Sequence, residues 1–374
     1  MSAGSESLAA RIAFAGYRNI TLGAAERLEA LGAGPEEFFA LDGATLSRIT
    51  GLKETYFESS RREAALAQGR REAAYVEANN IKAIYHSDAD FPRRLRDCSD
   101  GPAMVYALGT WRPDHRYCIA VVGTRHATAY GSDFTRRLVE DLSSALDDVL
   151  IISGLAYGID ICAHRAALMS GVATGAVLAH GLNTIYPADH RGEAARIVRE
   201  GGFLLTEYCS SSAVHRGNFL ARNRIVAGLA DATVVVESDM RGGAMSTARI
   251  SAAYNRDVFA VPGRVNDSYS RGTNALLAGQ QAIMLRDASD LISAMGWKAI
   301  APEGTQQTLD FEPDGDRKAV VDFIRRRPEG TVNDMCVALD VPYARLSPLL
   351  FEMEMDDQIV SLPGGRFGLP AKNK

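Results

Sequence analysis

The stretch Phe219–Gly263, FLARNRIVAGLADATVVVESDMRGGAMSTARISAAYNRDVFAVPG, decides the fold class of this chain. Its segment Ala232–Val236 holds three consecutive valines, and such an unbroken apolar run is typical of a strand buried on both faces of a parallel sheet. The loop Arg241–Ala244 follows, and a helical pattern through Arg249 and Tyr254 begins directly after it. A strand, a glycine-rich loop and a helix in that order place free backbone N–H groups where an anion such as phosphate can bind. We therefore expect function to lie in loops at one edge of a sheet.

Strand and helix patterns alternate around this stretch, from residue 117 to residue 285. This order predicts an α/β fold with a doubly wound, mainly parallel sheet. Two further short strands are predicted between residues 80 and 110, and we assign residues 80–298 to this domain. The main predicted strands are YCIAVVG, VLIISG, TGAVLAHG, GFLLTE, ATVVVE, DVFAVPG and QAIML.

Residues 1–75 predict a separate small helical domain. Apolar residues recur at helical spacing in 24–31 and 35–41, and Gly51 lies between two helical patterns, as in a SAM-like or helix–hairpin–helix module. A glycine turn of this kind can approach a DNA backbone. One such glycine is weak evidence, however, and a helical packing module is the simpler interpretation.

The carboxyl-terminal part predicts a linker and a third domain. Residues 299–315 are polar and contain proline and glycine, which indicates a linker. Residues 316–374 then show three helical patterns and a Gly-Gly hairpin, the order of a winged helix. The third helical pattern carries one basic residue, Arg345, and several acidic residues that would repel phosphate. We therefore predict that this helix contacts protein rather than DNA. Those acids are Glu352, Glu354, Asp356 and Asp357.

Composition excludes several classes of protein. The 374 residues are 47% hydrophobic and 23% charged, as in ordinary soluble globular proteins. No apolar run reaches the roughly 18 residues of a membrane helix, and the first residues do not have the pattern of a signal peptide, so we predict a cytoplasmic location and no membrane contact. The five cysteines are scattered and never spaced as CxxC, which predicts reduced thiols instead of disulfides or a zinc site.

Charge is distributed unevenly. The formal net charge is −5, but nine arginines face only five acidic residues between Arg216 and Arg286. Only six of the 41 basic residues are lysines, and arginine suits bidentate recognition of phosphate. The sequence contains no GxxxxGK[ST], GxSxG or HExxH pattern and no GxGxxG after the first main strand, so no common catalytic or nucleotide motif is indicated.

Glycine-containing loops are predicted at the carboxyl ends of the strands, where doubly wound sheets bind ligands. Their N–H groups and helix dipoles can converge on an anion, and Arg125, Arg222 and Arg224 would supply positive charge. A glycine in any single loop is more simply a turn residue, but five such loops with arginines predict a site. The loops are Gly123–Arg125, Ser153–Ala156, His180–Leu182, Arg241–Ala244 and Pro262–Gly263.

Three positions are candidates for chemistry. Asp160 and His164 lie four residues apart on one predicted helix face, so they form either an acid–base pair or, more simply, a histidine oriented by an aspartate. Glu237 ends the central strand and would act as a base or orient arginines. Asn223 lies between two arginines and would either hydrogen-bond to a nucleobase or a phosphate or cap a helix. Two possible metal ligands on one helix are too few for a metal site, and no cofactor is predicted.

Taken together, these motifs resemble the DNA-processing protein A (DprA/Smf) family. The resemblance implies an extended Rossmann-like fold that forms homodimers and has no catalytic activity. It implies a protein that binds single-stranded DNA in the cytoplasm, protects it and loads the RecA recombinase onto it during natural transformation. The matching motifs are VGTR at 122–125, SGLAYGID at 153–160, GLNTIYP at 181–187, ARNRIVAGL at 221–229, VVVES at 234–238, RGGAMSTAR at 241–249, VFAVPG at 258–263 and SRGTN at 270–274.

The resemblance also implies which residues line the strand-binding pocket, and we expect Arg125→Ala or Arg224→Ala to weaken binding without unfolding the protein. Two departures bear on DNA contacts: Ala173 stands where the family usually has lysine, and Leu220 where it usually has proline. His180 stands at a further departure and would stack or hydrogen-bond there. The implied pocket residues are Gly123, Thr124, Arg125, Gly154, Gly181, Phe219, Arg222, Asn223, Arg224, Gly242 and Gly243.

Two other functions stay open at this point. Nucleotide-binding phosphoribohydrolase-like enzymes of related fold also carry a glycine-rich loop before a helix, but their PGGxGTxxE pattern is not matched by RGGAMSTAR. A protein-interaction scaffold, in which the glycine loops are only turns, is the third alternative.

Overall fold

The computed structural model describes residues 3–300, 315–328, 330–356, 358–362 and 365–369. The chain divides into two compact units, Met1–Ala301 and Pro302–Lys374. Residues 301–314 of the predicted linker lie outside the described residues, and the predicted domain boundaries stay predictions.

A nine-stranded sheet forms the centre of the first unit, in the order β1-β2-β6-β5-β4-β3-β7-β8-β9. Strand β2 is antiparallel to both of its neighbours, whereas every other neighbouring pair is parallel. The prediction of an α/β fold with a mainly parallel sheet is therefore confirmed. The strands are β1 Lys82–Tyr85, β2 Met104–Gly109, β3 Tyr117–Val122, β4 Val149–Ser153, β5 Ala173–Val177, β6 Phe203–Thr206, β7 Ala232–Val235, β8 Asp257–Ala260 and β9 Ile283–Met284.

The central strand β3 shows why the sheet is buried on both sides. Its residues are all buried, and successive side chains point to opposite faces of the sheet. Cys118 and Ala120 enter one hydrophobic core, and Ile119 and Val121 enter the other. An unbroken apolar run is what a strand between two cores requires.

The order of the strands fixes where a ligand can bind. From β3 the chain builds β4, β5 and β6 on one side, and it then returns to the other side of β3 with β7. The loops after β3 and β7 therefore flank a topological switch point, at which open α/β sheets bind ligands. The helices around the sheet are α6 Arg93–Arg96, α7 Ala129–Ala145, α8 Ile159–Met169, α9 Arg191–Arg199, α10 Arg216–Leu229, α11 Gly243–Ala253, α12 Arg271–Ala278 and α13 Ala288–Ala294.

The amino-terminal helices belong to the same compact unit as the sheet. Phe14, Phe38 and Phe57 share one core with Tyr85 and Met104, which come from the antiparallel strands β1 and β2. Gly51 ends α4 with a φ of 72°, so the predicted glycine turn is present there. The helices are α1 Ala3–Gly16, α2 Leu22–Ala30, α3 Pro35–Ala40, α4 Gly43–Thr50 and α5 Ser59–Ala78.

The second unit contains three helices and a strand pair around its own core. Thr331 and Asp334 form a capping box at the start of its second helix. The core consists of Val320, Phe323, Ile324, Met335, Leu346, Leu350, Met353 and Ile359. The elements are α14 Asp316–Arg326, α15 Val332–Leu339, α16 Tyr343–Met355 and the antiparallel strands β10 Val360–Leu362 and β11 Arg366–Gly368.

Candidate functional site

The loop after β3 is tied to both sides of the switch point. The Thr124 N–H donates to the Glu237 carbonyl after β7 at 2.7 Å, and the Thr124 carbonyl accepts from the Ile159 N–H of α8 at 3.1 Å. Gly123 packs so tightly that a Cβ there would overlap the Ile159 side chain. The backbone of this loop is therefore held firmly, and the exposed side chain of Arg125 projects from it.

Arg125 forms a cluster with two aromatic rings, which we call the aromatic platform (Arg125, Tyr186 and Phe219); Arg125 and Tyr186 are exposed and Phe219 is half-buried. The Arg125 guanidinium lies 5.4 Å from the centre of the Phe219 ring, within cation–π distance. Tyr186 meets the Phe219 ring edge-on, with 5.6 Å between the ring centres, and it is 48% exposed. A cation beside aromatic faces can bind a phosphate and stack a planar base at the same place.

His180 holds the loop that carries Tyr186. Its Nε2 accepts from the Tyr186 N–H at 3.2 Å, and its Nδ1 lies 2.9 Å from the Gly181 carbonyl. A nitrogen that accepts from an N–H carries no proton, so in this arrangement Nδ1 is the atom that donates to the Gly181 carbonyl. Stacking and hydrogen bonding were the two roles predicted for His180. In the structure the side chain is buried and hydrogen-bonds to the protein itself. Gly181 has no room for a Cβ because it packs on the Cys209 carbonyl.

Arg222 is buried below this surface and is only 4% exposed. Its guanidinium donates to the Val177 carbonyl at the end of β5, and it fills the space that a Cβ on Gly154 would occupy. Its Nε has no hydrogen-bond partner. Burial lowers the pKa of Arg222, while the nearby carboxyl of Asp160 opposes that shift. The side chain therefore supports the loop after β4 and is not presented to solvent.

Asn223 links the platform to the start of α11. It lies one helical turn after Phe219 on α10, and its Nδ2 is 3.4 Å from the Gly243 carbonyl. No side chain caps the N-terminus of α11, and the space beside Gly243 is open. Free N–H groups at such a terminus attract anions. Gly242, the residue before it, has no room for a Cβ because it packs on the Ser238 hydroxyl.

Arg224 lies apart from these residues. Its Nη2 is 2.5 Å from Glu207 Oε2, and the side chains of this ion pair are only 17% and 16% exposed. The motif that suggested one pocket thus divides: Phe219 and Asn223 lie at the platform side of α10, Arg222 lies beneath it, and Arg224 contacts a different part of the sheet.

The residues predicted to carry chemistry are held by structural hydrogen bonds. Both carboxylate oxygens of Glu237 are bonded by Thr128, one by its N–H at 2.9 Å and the other by its hydroxyl at 2.6 Å, so Glu237 fixes the start of α7 and does not orient arginines. Asp160 accepts from the Ala156 N–H at 3.3 Å. The prediction that Asp160 orients His164 is wrong, because His164 bonds to Thr174 instead.

The His164 ring is neutral and buried. The Thr174 hydroxyl donates its hydrogen to the Ile151 carbonyl at 2.8 Å, so His164 Nδ1 must donate to that hydroxyl, 2.7 Å away. Its Nε2 is buried without a partner. Burial and the charge of Arg222 lower the pKa of His164 to about 3.

Further expectations concern metals, thiols and membranes. In the described ranges, no group of three or more His, Cys, Asp or Glu side chains is arranged to hold a metal ion. All five cysteines are free thiols. None of the helices in the part of the chain that the structure describes is long and apolar enough to cross a bilayer.

Sequence reasoning missed two exposed aromatic residues at this edge. Tyr186 belongs to the platform, and Tyr157 is 44% exposed, with its hydroxyl 2.7 Å from Asp189. Tyr157 lies in the motif SGLAYGID and Tyr186 in GLNTIYP. An aromatic residue inside a polar loop at the end of a strand is the signal that would have identified them.

Comparison with known proteins identifies relatives across the sheet domain. The model of a family described as DNA recombination-mediator protein A matches residues 82–296. The chain is 39% identical over 261 residues to a putative DNA processing protein DprA of Mycobacterium tuberculosis H37Rv, an alignment that covers 68% of this chain and 66% of that protein. It is 33% identical over 304 residues to protein Smf of Escherichia coli K12, with 78% of each chain covered.

Two solved structures are similar to the fold. The X-ray structure of DprA from Streptococcus pneumoniae matches with a TM-score of 0.58 and 27% identity, over 73% of this chain and 98% of that chain. A structure describing the single-stranded DNA binding mode of DNA processing protein A from Helicobacter pylori matches with a TM-score of 0.52 and 30% identity, over 57% of this chain and 95% of that chain.

Proposed function

The chain belongs to the DNA recombination-mediator protein A family, and from this premise we propose that it binds single-stranded DNA at the carboxyl edge of its sheet. The observation that carries the proposal is the aromatic platform next to the open N-terminus of α11. Phosphates bind at Arg125 and at the N–H groups of α11, and bases stack on Tyr186 and Phe219. Base faces are free in a single strand and are covered in a duplex, so this surface prefers single strands.

The proposal also covers what the protein does with the strand that it binds. As a homodimer in the cytoplasm, the protein protects the strand and loads RecA onto it during natural transformation, without turning over a substrate. The family description, which names recombination mediation, and the relatives named for DNA processing support this role. Light scattering tests the dimer, and the growth of RecA filaments on a protein-coated oligonucleotide tests loading; filament growth that is slower than on bare DNA would contradict it.

Strand binding is tested by fluorescence anisotropy of a labelled single-stranded oligonucleotide over a series of salt concentrations, with duplex DNA as competitor. The binding constant K falls as salt rises, and we call the magnitude of the slope of log K against log [salt] the salt slope. Arg125→Ala should reduce the salt slope by roughly 0.7, because one fewer phosphate is neutralised. Arg199→Ala is the matched control, since Arg199 is exposed at the end of α9, at the opposite edge of the sheet. Equal affinity for duplex, or equal effects of the two substitutions, would overturn the proposal.

A further inference from the structure

Arg224 and Arg222 point to different sides of α10. Successive residues of a helix are separated by 100°, so residues two apart are roughly 200° apart around its axis. Arg222 bonds to the Val177 carbonyl of β5, whereas Arg224 pairs with Glu207, which follows β6. Around the same axis Arg224 lies about 140° from Phe219 and about 100° from Asn223, so its side chain leaves the helix in a different direction from the platform.

The Arg224–Glu207 pair lies on the wall of a small polar cavity of about 50 Å³. One nitrogen of the guanidinium, Nη1, and one oxygen of the carboxylate, Oε1, are buried without hydrogen-bond partners. A donor and an acceptor beside a cavity of this size provide what ordered water needs. The other lining residues come from the end of α1 and the turn after it, from the segment that includes β2, and from the residues after Glu207: Ala15, Gly16, Asn19, Ile20, Pro102, Ala103, Met104, Tyr106, Tyr208 and Cys209.

We propose that Arg224 is a positioning residue, which holds α10 against the segment after β6 through its buried ion pair with Glu207. This rests on the proposed function. Arg224 does not contact DNA: the Glu207 carboxylate neutralises its charge, and its other terminal nitrogen, Nη1, is buried. By fixing the helix that carries Phe219 and Asn223, the pair keeps the platform in register with the start of α11.

The proposal differs from the sequence-based expectation, under which Arg224 and Arg125 act alike. A residue that contacts phosphate contributes to the salt dependence of binding, because it releases counterions from DNA. A positioning residue contributes to the stability of the fold and leaves that salt dependence unchanged. Removing one member of a buried ion pair leaves the other charge uncompensated, whereas replacing both by apolar side chains restores much of the lost stability.

The test compares Arg224→Met with Arg125→Met in the full chain, which is the same chemical change at a buried and at an exposed arginine. We expect Arg125→Met to lower the salt slope by roughly 0.7 and to leave the Tm unchanged. Arg224→Met should lower the Tm by about 10 °C and leave the salt slope unchanged. The double variant Arg224→Met/Glu207→Leu should regain most of the Tm and of the affinity.

Glu207→Gln provides a second test if Arg224→Met does not fold, because it keeps the volume of the side chain. We expect a lower Tm and no gain in affinity; tighter binding with a steeper salt slope would show that Arg224, once released, reaches the strand. A loss of salt slope in Arg224→Met equal to that in Arg125→Met, or a double variant no more stable than the single one, would overturn the proposal. The Tm measurements on wild type, Arg224→Met and Arg224→Met/Glu207→Leu need no DNA. They therefore test the stabilising role of the ion pair separately from strand binding.

Discussion

The same residue type, glycine, has opposite roles at two positions of the site. At Gly154 the missing Cβ leaves the space that the buried guanidinium of Arg222 fills, while Gly243 has open space beside it. A methyl group should therefore disturb packing at the first position and meet only solvent or a ligand at the second.

We expect Gly154→Ala to reduce the free energy of unfolding by about 1–3 kcal/mol, the usual effect of overpacking. Gly243→Ala, the matched substitution, should leave stability unchanged or raise it by up to about 1 kcal/mol, because alanine favours the helix. Urea denaturation measures both. If Gly243→Ala keeps its stability but binds single strands more weakly, a strand backbone approaches the start of α11; equal stability of the two variants would contradict the packing of Arg222 on Gly154.

His164 makes stability depend on pH. Its pKa in the folded protein, about 3, lies below the ordinary value of 6.5, so the unfolded chain binds a proton that the folded protein does not. Stability from this group is complete above pH 6.5 and is lost as the pH falls, by ~1.4 kcal/mol per unit. Wild type should therefore lose ~2 kcal/mol more than His164→Asn between pH 6.5 and 5, measured by urea denaturation. His126→Asn, at an exposed histidine, controls for the substitution, and parallel profiles for wild type and His164→Asn would refute the assignment.

At the scale of elements, α10 presents neighbouring residues to different surroundings. Phe219 belongs to the aromatic platform, and Leu220, the next residue, is 58% exposed outside it. Phe219→Ala should weaken single-strand binding by ~1–3 kcal/mol, the usual contribution of one stacked base. Leu220→Ala should leave the affinity unchanged. Anisotropy titrations measure both, and a similar loss in the two variants would show that the strand does not follow the platform.

The strands of the sheet were largely predictable, because a strand that is buried on both faces appears in the sequence as a local run of apolar residues. The run Ala232–Val236 corresponds to β7 at Ala232–Val235, and the predicted strand VLIISG corresponds to β4 at Val149–Ser153. A strand with a core on each face must be apolar throughout, so its position is visible in the sequence.

The site was less predictable, and Arg222 and Arg224 show why. Both lie on α10, and their separation around its axis follows from helical geometry alone. The partner of each arginine could not be inferred in this way, since Val177 is 45 residues from Arg222 and Glu207 lies in the loop segment before α10, whose path the sequence pattern does not give. Long-range pairing of this kind also explains Glu237, whose partner is Thr128 and not an arginine.

At the scale of the whole molecule, the two units have separate cores, so damage to one should stay local. Phe323→Ala removes a buried ring from the core of the second unit and should cost about 3–5 kcal/mol there. Hydrogen exchange should then become faster in residues 316–369 and stay unchanged in residues 117–285, with unaltered affinity for single strands. Phe351→Ala, at an exposed ring, is the control. Faster exchange in the sheet would show that the units stabilise each other.

The order of the strands also sets a length. Seven strands, from β6 through β3 to β9, run parallel and end at the same edge, whereas β2 points the opposite way and bounds that edge on one side. With strands ~4.8 Å apart, the edge is ~30 Å wide. A stacked single strand advances ~3.4 Å per nucleotide, so this width corresponds to about eight or nine nucleotides. Under the proposed function, a strand that follows this edge should therefore be covered over about eight or nine nucleotides by each protein molecule, whatever its base sequence.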